Sequence, residues 1–376
     1  MRELQNFGEV GHQFKVSLLR SFKSLTINFL QMSDISDVNN LTAMVETPAM
    51  GKRGYTGTPP FGLIVLPLYF YFQISMETIN HKAGFVSIVG KPNVGKSTLM
   101  NVLVGERLSI ITSKAQTTRH RIMGILNGTH KGTDFQLVYS DTPGIILPKY
   151  ELHKSMMTFV HTSLEDADVI LFVTDIFEKY DEDDVIKKLA RIDHIPVLLL
   201  INKIDLATEE QVAEKIAHWR ERFPTQSIIP ISALKEQNVG NIFDAIVEYL
   251  PIHPPYFDKE ELSDKPERFF ASEILREKIF TNYKKEIPYS CEVVITSFKE
   301  EENIIRIAAE IYVERVTQRA ILIGHKGESI KKVGTQAREE MEKFFGKKIF
   351  LEQFIKVEPD WRSKVLKLRQ FGYGQD

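Results

Sequence analysis

Residues 90–97 read G-x-x-x-x-G-K-S, a pattern that restricts what the surrounding chain can fold into. The apolar run FVSIV (85–89) precedes it and the apolar TLMNVLVG follows it, so it lies between a predicted strand and a predicted helix. Gly90 and Gly95 let the backbone turn tightly enough for its amide N–H groups to point inward at phosphate oxygens. The helix beginning near Lys96 adds its positive end. The segment therefore predicts a phosphate-binding loop.

Strand-length apolar runs recur after this loop, each followed by amphipathic sequence, at 135–140, 169–175, 196–202 and 227–232. The segment TEEQVAEKIAHWRERF is typical of a helix, with Thr208 and Gln211 placed to form a capping box. Continuous apolar strands that alternate with helices indicate a sheet buried on both faces. The pattern predicts an α/β fold with a mostly parallel sheet.

The end of the loop and the motif DTPG (141–144) carry the predicted phosphate chemistry. Lys96 reaches the β- and γ-phosphates, and the Ser97 hydroxyl binds Mg²⁺. Asp141 ends a strand and can hold the same Mg²⁺, directly or through water, while Gly144 lets a backbone N–H meet the γ-phosphate. The predicted contacts of the loop are Gly90, Lys91, Pro92, Asn93, Val94, Gly95, Lys96, Ser97 and Thr98.

Two further motifs predict that the nucleotide carries guanine. NKID (202–205) ends a strand, and the Asp205 carboxylate can accept hydrogen bonds from the N1–H and the N2 amino group of guanine. Adenine has neither donor there, and an unpaired carboxylate in the pocket would be costly. Asn202 and Lys203 brace the base and the loop. Ser232 and Ala233, in ISA (231–233), complete the wall at the base oxygen.

The polar segment SKAQTTRHR (113–121) lies between the first two motifs and is predicted to be a switch. A threonine in it would complete the Mg²⁺ shell only when a γ-phosphate is present, which orders the loop. We predict Thr118 for this role, with Thr117 as the alternative. Ser97, Thr118 and Asp141 are then the metal ligands, and Lys96, Thr118 and Gly144 are the candidate catalytic residues.

Intrinsic hydrolysis is predicted to be slow. Many GTPases orient the attacking water with a glutamine just after the DTPG glycine, but this chain has Ile145 and Ile146 there. We expect the backbone or a monovalent cation near Asn93 to position the water, in which case turnover responds to K⁺.

A second glycine loop, GHKG (324–327), lacks the G-K-S ending and lies between two predicted helices. The order from residue 268 is helix, strand, strand, helix, loop, helix, strand, which describes a small α+β domain. A G-x-x-G loop between helices with flanking strands is the arrangement of a KH RNA-binding module. The glycines admit a sugar–phosphate backbone, and the predicted RNA contacts are Gly324, His325, Lys326, Gly327, Lys331 and Lys332.

Charge supports this interpretation only locally. The whole chain has 48 Lys and Arg against 50 Asp and Glu, which excludes a generally basic nucleic-acid coat. From Ala320 onward there are 12 Lys and Arg against 8 Asp and Glu, a net of +4. Trp361, Phe371 and Tyr373 near the end could either stack on bases or pack on the last helix. His325 is expected to face solvent.

The length of 376 residues predicts more than one domain. We place a nucleotide domain at 80–252, a Pro-rich, charged linker at 253–268 and the KH domain at 269–376. Residues 1–75 do not resemble the rest, and we expect either a poorly ordered extension or a mis-assigned gene start, with Met76 as the working start. Their apolar run LIVLPLYFYF is too short to span a bilayer. The single cysteine, Cys291, fits a reducing compartment.

Taken together, GKPNVGKST, KAQTTRHR, DTPG, NKID and ISA, followed by FFASEILREKIF, EIPYS and ILIGHKGESIKKVG, resemble the Era-type GTPases over about 80–373. The resemblance implies a Ras-like GTPase domain joined to a type II KH domain, with GTP or GDP and Mg²⁺ as ligands. It also implies binding near the 3′ end of 16S rRNA and a role in maturation of the 30S subunit. The isoleucine after DTPG fits the family pattern, whereas the N-terminal extension does not.

We expect a cytoplasmic protein that is a monomer. Peripheral association with the inner face of the cell membrane is linked to the family, and the sequence neither supports nor excludes it. The leading hypothesis is a switch in which GTP hydrolysis changes RNA affinity. The alternative is an RNA-binding assembly factor that needs GTP binding but not turnover. Two other classes of protein do not fit the sequence. A tRNA-modification GTPase requires a reactive cysteine near the C-terminus, and a double GTPase requires a second complete phosphate loop; the chain has neither.

Overall fold

The computed structural model describes residues 81–178, 189, 192, 194–223, 225 and 227–374, which all belong to one unit, Tyr71–Asp376. The predicted extension at 1–75 and its apolar run lie outside the described residues. Within the described ranges, no helix has both the length and the apolar character needed to cross a bilayer.

The first half forms a six-stranded sheet with the order β2-β3-β1-β4-β5-β6. Its strands are β1 His81–Val89, β2 Ile122–His130, β3 Thr133–Asp141, β4 Val169–Asp175, β5 Val197–Asn202 and β6 Ser227–Pro230. All neighbouring pairs are parallel except β2 and β3. The predicted mostly parallel α/β sheet is confirmed.

The antiparallel edge strand β2 was not predicted. Gly124, Asn127 and Gly128 interrupt its apolar pattern, so it did not read as a strand. Its pairing with β3 is set by a two-residue turn in which Lys131 and Gly132 have φ of 49° and 81°. Two consecutive positive φ values give the turn twist that suits a hairpin.

Among the described residues, four helices cover the two faces of this sheet: α1 Lys96–Val104, α2 Glu151–Glu165, α3 Glu209–Arg222 and α4 Val239–Tyr249. Helices α1 and α4 share one buried cluster with the strands, and α2 and α3 share another on the opposite face. The predicted capping box of α3 is present, since Thr208 and Gln211 each bond the other's backbone N–H. The core therefore holds the carboxyl ends of the strands, and the loops after them, in fixed positions.

The segment predicted as a linker is fastened along the edge of the first sheet. The backbone N–H of Ile125 in β2 donates to the carbonyl of Leu262 at 2.9 Å. The buried side chain of Gln136 donates to the Phe257 carbonyl and accepts from the Phe257 N–H, at 2.8 and 2.9 Å. This stretch is an ordered strap, which its high Pro and charge content did not reveal.

The second half contains helices α5 Glu267–Asn282, α6 Ile287–Ser290, α7 Val316–Ile323, α8 Glu328–Phe345 and α9 Val365–Gln370. Its strands β7 Glu292–Glu300, β8 Ile304–Val313 and β9 Lys348–Val357 form a sheet in that order. Strand β7 is antiparallel to β8, and β9 is parallel to it. The predicted element order is confirmed, with α6 and α9 as additions.

The aromatic residues near the end of the chain pack inside the protein. Trp361 is fully buried and its indole N–H donates to the Ser290 carbonyl at 3.0 Å. Tyr373 is buried and donates to Glu292 at 2.7 Å, while Phe371 lies against Trp361 with ring centroids 5.5 Å apart. Of the two alternatives for Trp361 and Tyr373, stacking on RNA bases is therefore wrong, because neither ring has a face that is open to a ligand.

Candidate functional site

The first glycine loop lies between β1 and α1 and packs closely on neighbouring strands. Gly90 has a φ of 155°, and a Cβ there would come within 2.1 Å of the Val173 carbonyl oxygen. Gly95 has a φ of 104°, and its Cβ would come within 2.2 Å of Asn202 Nδ2. Side chains are excluded at both positions, so the loop takes the tight path that phosphate binding by backbone amides requires.

Lys96 carries its ammonium group back over the loop. The side chain is buried, and Nζ donates to the carbonyls of Gly90 at 3.1 Å and Lys91 at 2.9 Å. Burial lowers its pKa from 10.5 to about 8. The fold thus desolvates a cation at the position where phosphate charges can compensate it.

Ser97, Thr118 and Asp141 meet at one point although they come from α1, the switch segment and β3. Ser97 Oγ donates to Asp141 Oδ2 at 2.7 Å and lies 2.8 Å from Thr118 Oγ1. Asp141 is fully buried, burial raises its pKa, and its Oδ1 has no hydrogen-bond partner in the described part of the chain. Three hard oxygens with an unsatisfied buried carboxylate oxygen fit Mg²⁺.

Thr117 points away from this oxygen cluster. Its hydroxyl lies 2.6 Å from Thr112 Oγ1 and donates to the carbonyl of Lys114 at 2.7 Å, which closes a local turn. Thr118 Oγ1, in contrast, lies 3.3 Å from Asp141 Oδ2. Of the two candidate threonines, the geometry favours Thr118.

The base motifs are joined by a hydrogen-bond network. Asn202 Nδ2 donates to the Val94 carbonyl at 2.8 Å, and its Oδ1 accepts from the Ala233 N–H at 2.9 Å. Lys203 Nζ donates to the Asn93 carbonyl at 2.7 Å. Both residues therefore tie the base wall to the phosphate loop.

Asp205 is oriented by Ser232, whose Oγ donates to Asp205 Oδ1 at 2.6 Å. Two apolar side chains that sequence reasoning missed flank this carboxylate, Leu206 and Leu234, which are 61% and 74% exposed. Each directly follows a recognised motif, NKID and ISA, which is the only signal that could have found them. Both leucines line the same cavity as Asp205, and exposed apolar side chains there suit contact with a purine ring.

These groups line one cavity of about 450 Å³, large enough for a nucleotide. Of the predicted nucleotide residues, ten line it: Pro92, Asn93, Gly95, Lys96, Ser97, Thr98, Gly144, Asn202, Lys203 and Asp205, together with Thr118 of the switch. The other six predicted nucleotide residues do not line the cavity but contact residues that do: Gly90, Lys91, Val94, Asp141, Ser232 and Ala233. Gly144 approaches the loop so closely that a Cβ would lie 2.8 Å from the Pro92 backbone.

The second glycine loop has a different geometry. Gly324, Lys326 and Gly327 have φ of 72°, 49° and 81°, and the loop is a single 3₁₀ turn between α7 and α8. A Cβ on Gly324 would overlap Ser329 Oγ at 2.1 Å, whereas nothing lies within 4 Å of one on Gly327. The side chains of His325, Lys326, Lys331 and Lys332 are exposed. An open, cationic turn of this kind can meet a polymer backbone.

The switch segment is fastened to the second domain, which the sequence analysis missed. Arg119 is 1% exposed, and its Nη1 donates to the Cys291 carbonyl at 2.7 Å and to Glu292 Oε2 at 2.8 Å. Nη2 donates to the Pro288 carbonyl at 3.1 Å. Arg119 directly follows Thr118, so one short stretch touches both the cavity and the second domain.

Neighbouring side chains extend this attachment. The ring of His120 stacks on Tyr373 with centroids 4.3 Å apart and 20° between planes. Lys114 Nζ donates to the carbonyls of Phe280 and Tyr283, and Arg107 pairs with Glu277 at 2.6 Å. Long-range partners of this kind leave no periodic signal in the sequence, because each contact joins single residues that are far apart in the chain.

Comparison with known proteins agrees with both halves of the chain. A family model described as a 50S ribosome-binding GTPase matches residues 85–203, and a KH domain model matches 286–362. GTPase Era of Geotalea uraniireducens (strain Rf4) is 44% identical over 295 residues, which cover 78% of this chain and 98% of the relative. GTPase Era of Staphylococcus haemolyticus (strain JCSC1435) is 41% identical over 298 residues, with 79% and 98% covered.

Two solved structures match over 78% of this chain and all of theirs, each with a TM-score of 0.74. One is a variant of Aquifex aeolicus Era bound to GDP·AlF₄⁻, at 40% sequence identity. The other is Era in complex with MgGDPNP and a fragment of 16S ribosomal RNA, at 39% identity.

Proposed function

The chain belongs to the Era family of GTPases, and we propose that it couples its nucleotide cycle to an RNA contact made by its KH domain. It is a GTPase whose ligands are GTP or GDP and Mg²⁺. The proposed RNA is small-subunit rRNA near its 3′ end, in keeping with the 16S rRNA fragment bound by the solved relative. The proposed task is assembly and maturation of the 30S subunit.

The residues described above have the following proposed roles. Lys96 and the loop amides hold the β- and γ-phosphates, and Gly144 presents its backbone N–H to the γ-phosphate. Ser97, Thr118 and Asp141 would hold Mg²⁺, which when bound neutralises phosphate charge. Asp205 selects guanine, and the GHKG turn with Lys331 and Lys332 receives the RNA backbone.

The observation that carries the proposal is the adjacency of Thr118 and Arg119. Thr118 points at the metal ligands Ser97 and Asp141, whereas Arg119 is buried against Cys291 and Glu292 of the KH domain. A contact that Thr118 makes only with GTP and Mg²⁺ would therefore act on the residue next to the one that anchors the second domain. This is the differential contact that a nucleotide switch needs.

Binding to an oligonucleotide that copies the small-subunit rRNA 3′ end, and to a scrambled copy, tests this function with GDP and with a non-hydrolysable GTP analogue. We expect selective binding that is tighter with the analogue. In Arg119→Met the two nucleotides should give nearly equal RNA affinities.

Arg121→Met is the matched control for that experiment. Arg121 lies two residues away but bonds Ser140 and Asp166 of the GTPase domain, at 2.9 and 2.7 Å. The Arg121→Met variant should therefore still bind RNA more tightly with the GTP analogue than with GDP. RNA affinity that is the same with GDP and the analogue in the wild-type protein would overturn the gating proposal.

The alternative, in which GTP binding suffices and turnover is incidental, is favoured by one observation. Ile145 and Ile146 both pack against the core beside α2, so neither presents a polar group to the nucleotide. A variant that binds GTP normally but hydrolyses it slowly separates the two functions. Only the hydrolysis-driven switch would lose subunit maturation in that variant.

The finer assignments are also proposals. The domains are proposed to span 80–252 and 269–376, with the strap at 253–268 between them. The protein is proposed to act as a cytoplasmic monomer, with any association at the inner face of the cell membrane being peripheral. Sedimentation of the full chain with and without anionic vesicles tests both points.

A further inference from the structure

The GTPase domain lacks a glutamine after Gly144, so another group must act on the γ-phosphoryl and its attacking water. Ile145 donates its backbone N–H to the Gly90 carbonyl at 3.0 Å, so this N–H is already used in a hydrogen bond within the protein. Its side chain packs on the core. The candidate must therefore come from elsewhere in the cavity wall.

Most polar side chains in the cavity wall already have hydrogen-bond partners within the protein. Ser97 and Thr118 face Asp141, and Thr117 closes its own turn. Asn93 donates its amide to the Ser113 carbonyl at 3.3 Å. Gln116 is different: its Oε1 lies 3.2 Å from His153 Nε2, and its Nε2 makes no hydrogen bond within the described ranges.

His153 fixes which way the Gln116 amide faces. The backbone N–H of Lys149 donates to His153 Nδ1 at 3.3 Å, so the ring proton is on Nε2, which donates to Gln116 Oε1. The His153 side chain is buried beneath the ring of Tyr150, with centroids 3.9 Å apart. Burial lowers the pKa of His153 to about 4, so the ring is neutral at pH 7.

The backbone at Gln116 is also unusual. Its φ of 60° lies in the left-handed region, which is rare for a residue other than Gly, Asn or Asp. Such conformations cost free energy and are found disproportionately at functional sites. Here the conformation and the His153 contact together hold the amide at the cavity wall, beside Thr117 and Thr118.

We propose that Gln116, oriented by His153, donates from its side-chain amide to the γ-phosphoryl group and its attacking water during GTP hydrolysis. The water oxygen forms a bond to the γ-phosphorus, and the bond from that phosphorus to the β–γ bridging oxygen breaks, giving GDP and inorganic phosphate. The water protons leave with the phosphate and solvent, and Gln116 exchanges none. His153 is a positioning residue. This inference rests on the proposed nucleotide site.

Single-turnover GTP hydrolysis by the full chain, together with the affinities for GDP and a non-hydrolysable GTP analogue, tests the proposal. Gln116→Gly fits the positive φ and removes only the side chain, and Gln116→Glu replaces the amide donors by acceptors. Both should lower the rate constant roughly 10-fold to 100-fold, the range for loss of one transition-state donor. In Gln116→Gly the nucleotide affinities should change by less than about threefold, since the charges and the other ground-state contacts are kept.

His153 variants add a readout that a structural role would not give. His153→Gln keeps a donor toward Gln116 and should retain most of the rate, whereas His153→Leu should lower kcat without raising KM. His161→Leu, at an exposed position on the same helix, is the control and should match the wild type. Gln116→Gly with a rate within twofold of the wild type overturns the proposal, as does an equal loss of GDP affinity. A wild-type protein that binds no GTP would instead refute the nucleotide site itself.

Discussion

The guanidinium of Arg119 and the carboxylate of Glu292 form an ion pair, 2.8 Å apart, that joins the two domains out of contact with water. The side chains are 1% and 5% exposed. Tyr373 donates to the same carboxylate oxygen at 2.7 Å, so Glu292 has two partners. Removing both charges from water costs several kcal/mol, which the backbone carbonyls around Arg119 help to offset.

Arg119→Met should lower the free energy of unfolding by about 3–5 kcal/mol, because Glu292 is left buried without its cation. Urea denaturation followed by the fluorescence of the buried Trp219 and Trp361 measures the change. The double variant Arg119→Met/Glu292→Gln should recover part of the loss. Additive losses in the double variant would show that the pair does not act as a unit.

Thr118→Ala should leave GDP affinity intact and weaken binding of a GTP analogue with Mg²⁺, because its hydroxyl lies with Ser97 and Asp141. Thr117→Ala is the matched control, since that hydroxyl serves the local turn. Equilibrium binding of fluorescent GDP and GTP analogues, with and without Mg²⁺, distinguishes them. Equal losses for both nucleotides in Thr118→Ala would contradict the switch role.

Asp205→Asn should weaken GTP binding about 10-fold to 100-fold, since a charged acceptor contributes roughly 1.5–3 kcal/mol per hydrogen bond. Xanthosine triphosphate should gain affinity, because its C2 carbonyl can accept from the new amide. The two affinities are compared directly in competition. A variant that still prefers GTP as strongly as the wild type would argue against Asp205 as the base reader.

The parts of the structure that follow from local pattern were predictable from the sequence. Runs such as 169–175 are apolar throughout because both sheet faces are covered, and the glycines at 90 and 95 occupy positions that no side chain could fill. Strand β2 was missed because its pairing depends on a turn and on a partner strand rather than on its own alternation. The element list of the KH domain was predictable for the same local reasons.

The contacts between domains could not be predicted. Arg119 and Lys114 are charged residues in a polar stretch, and charged residues are rarely buried unless they are paired. Their partners are a carboxylate and backbone carbonyls more than 160 positions away. Only the fold shows that the switch segment is also part of the domain interface. The strap at 253–268 is a similar case, because Pro-rich sequence does not reveal what it packs against.

GTP hydrolysis is expected to be faster in K⁺ than in Na⁺. Asn93 has a φ of 65° and uses its amide nitrogen on the Ser113 carbonyl, and within the described ranges its Oδ1 has no partner beside the cavity. Asn93→Gly fits the positive φ and removes that oxygen, so it should abolish the difference between the two cations. Initial rates at constant ionic strength provide the measurement. Identical rates in K⁺ and Na⁺ for the wild type would exclude a monovalent cation at Asn93.

The stability of the protein is expected to depend on pH through His153. Burial, then the positive charges of Arg362, Arg119 and Lys149, lowers its folded-state pKa from 6.5 to about 4. Between these values the unfolded chain binds a proton that the folded chain does not, so stability falls as pH decreases from about 6.5 to about 4. His153→Gln removes this contribution. The difference in free energy of unfolding between the wild type and this variant should therefore shrink by on the order of 1 kcal/mol between pH 7.5 and pH 4.5. Urea denaturation at both pH values measures this change. Thr158→Val, on the same helix, is a control that does not titrate. If the stability difference for His153→Gln is independent of pH, the ring is not held neutral by its surroundings.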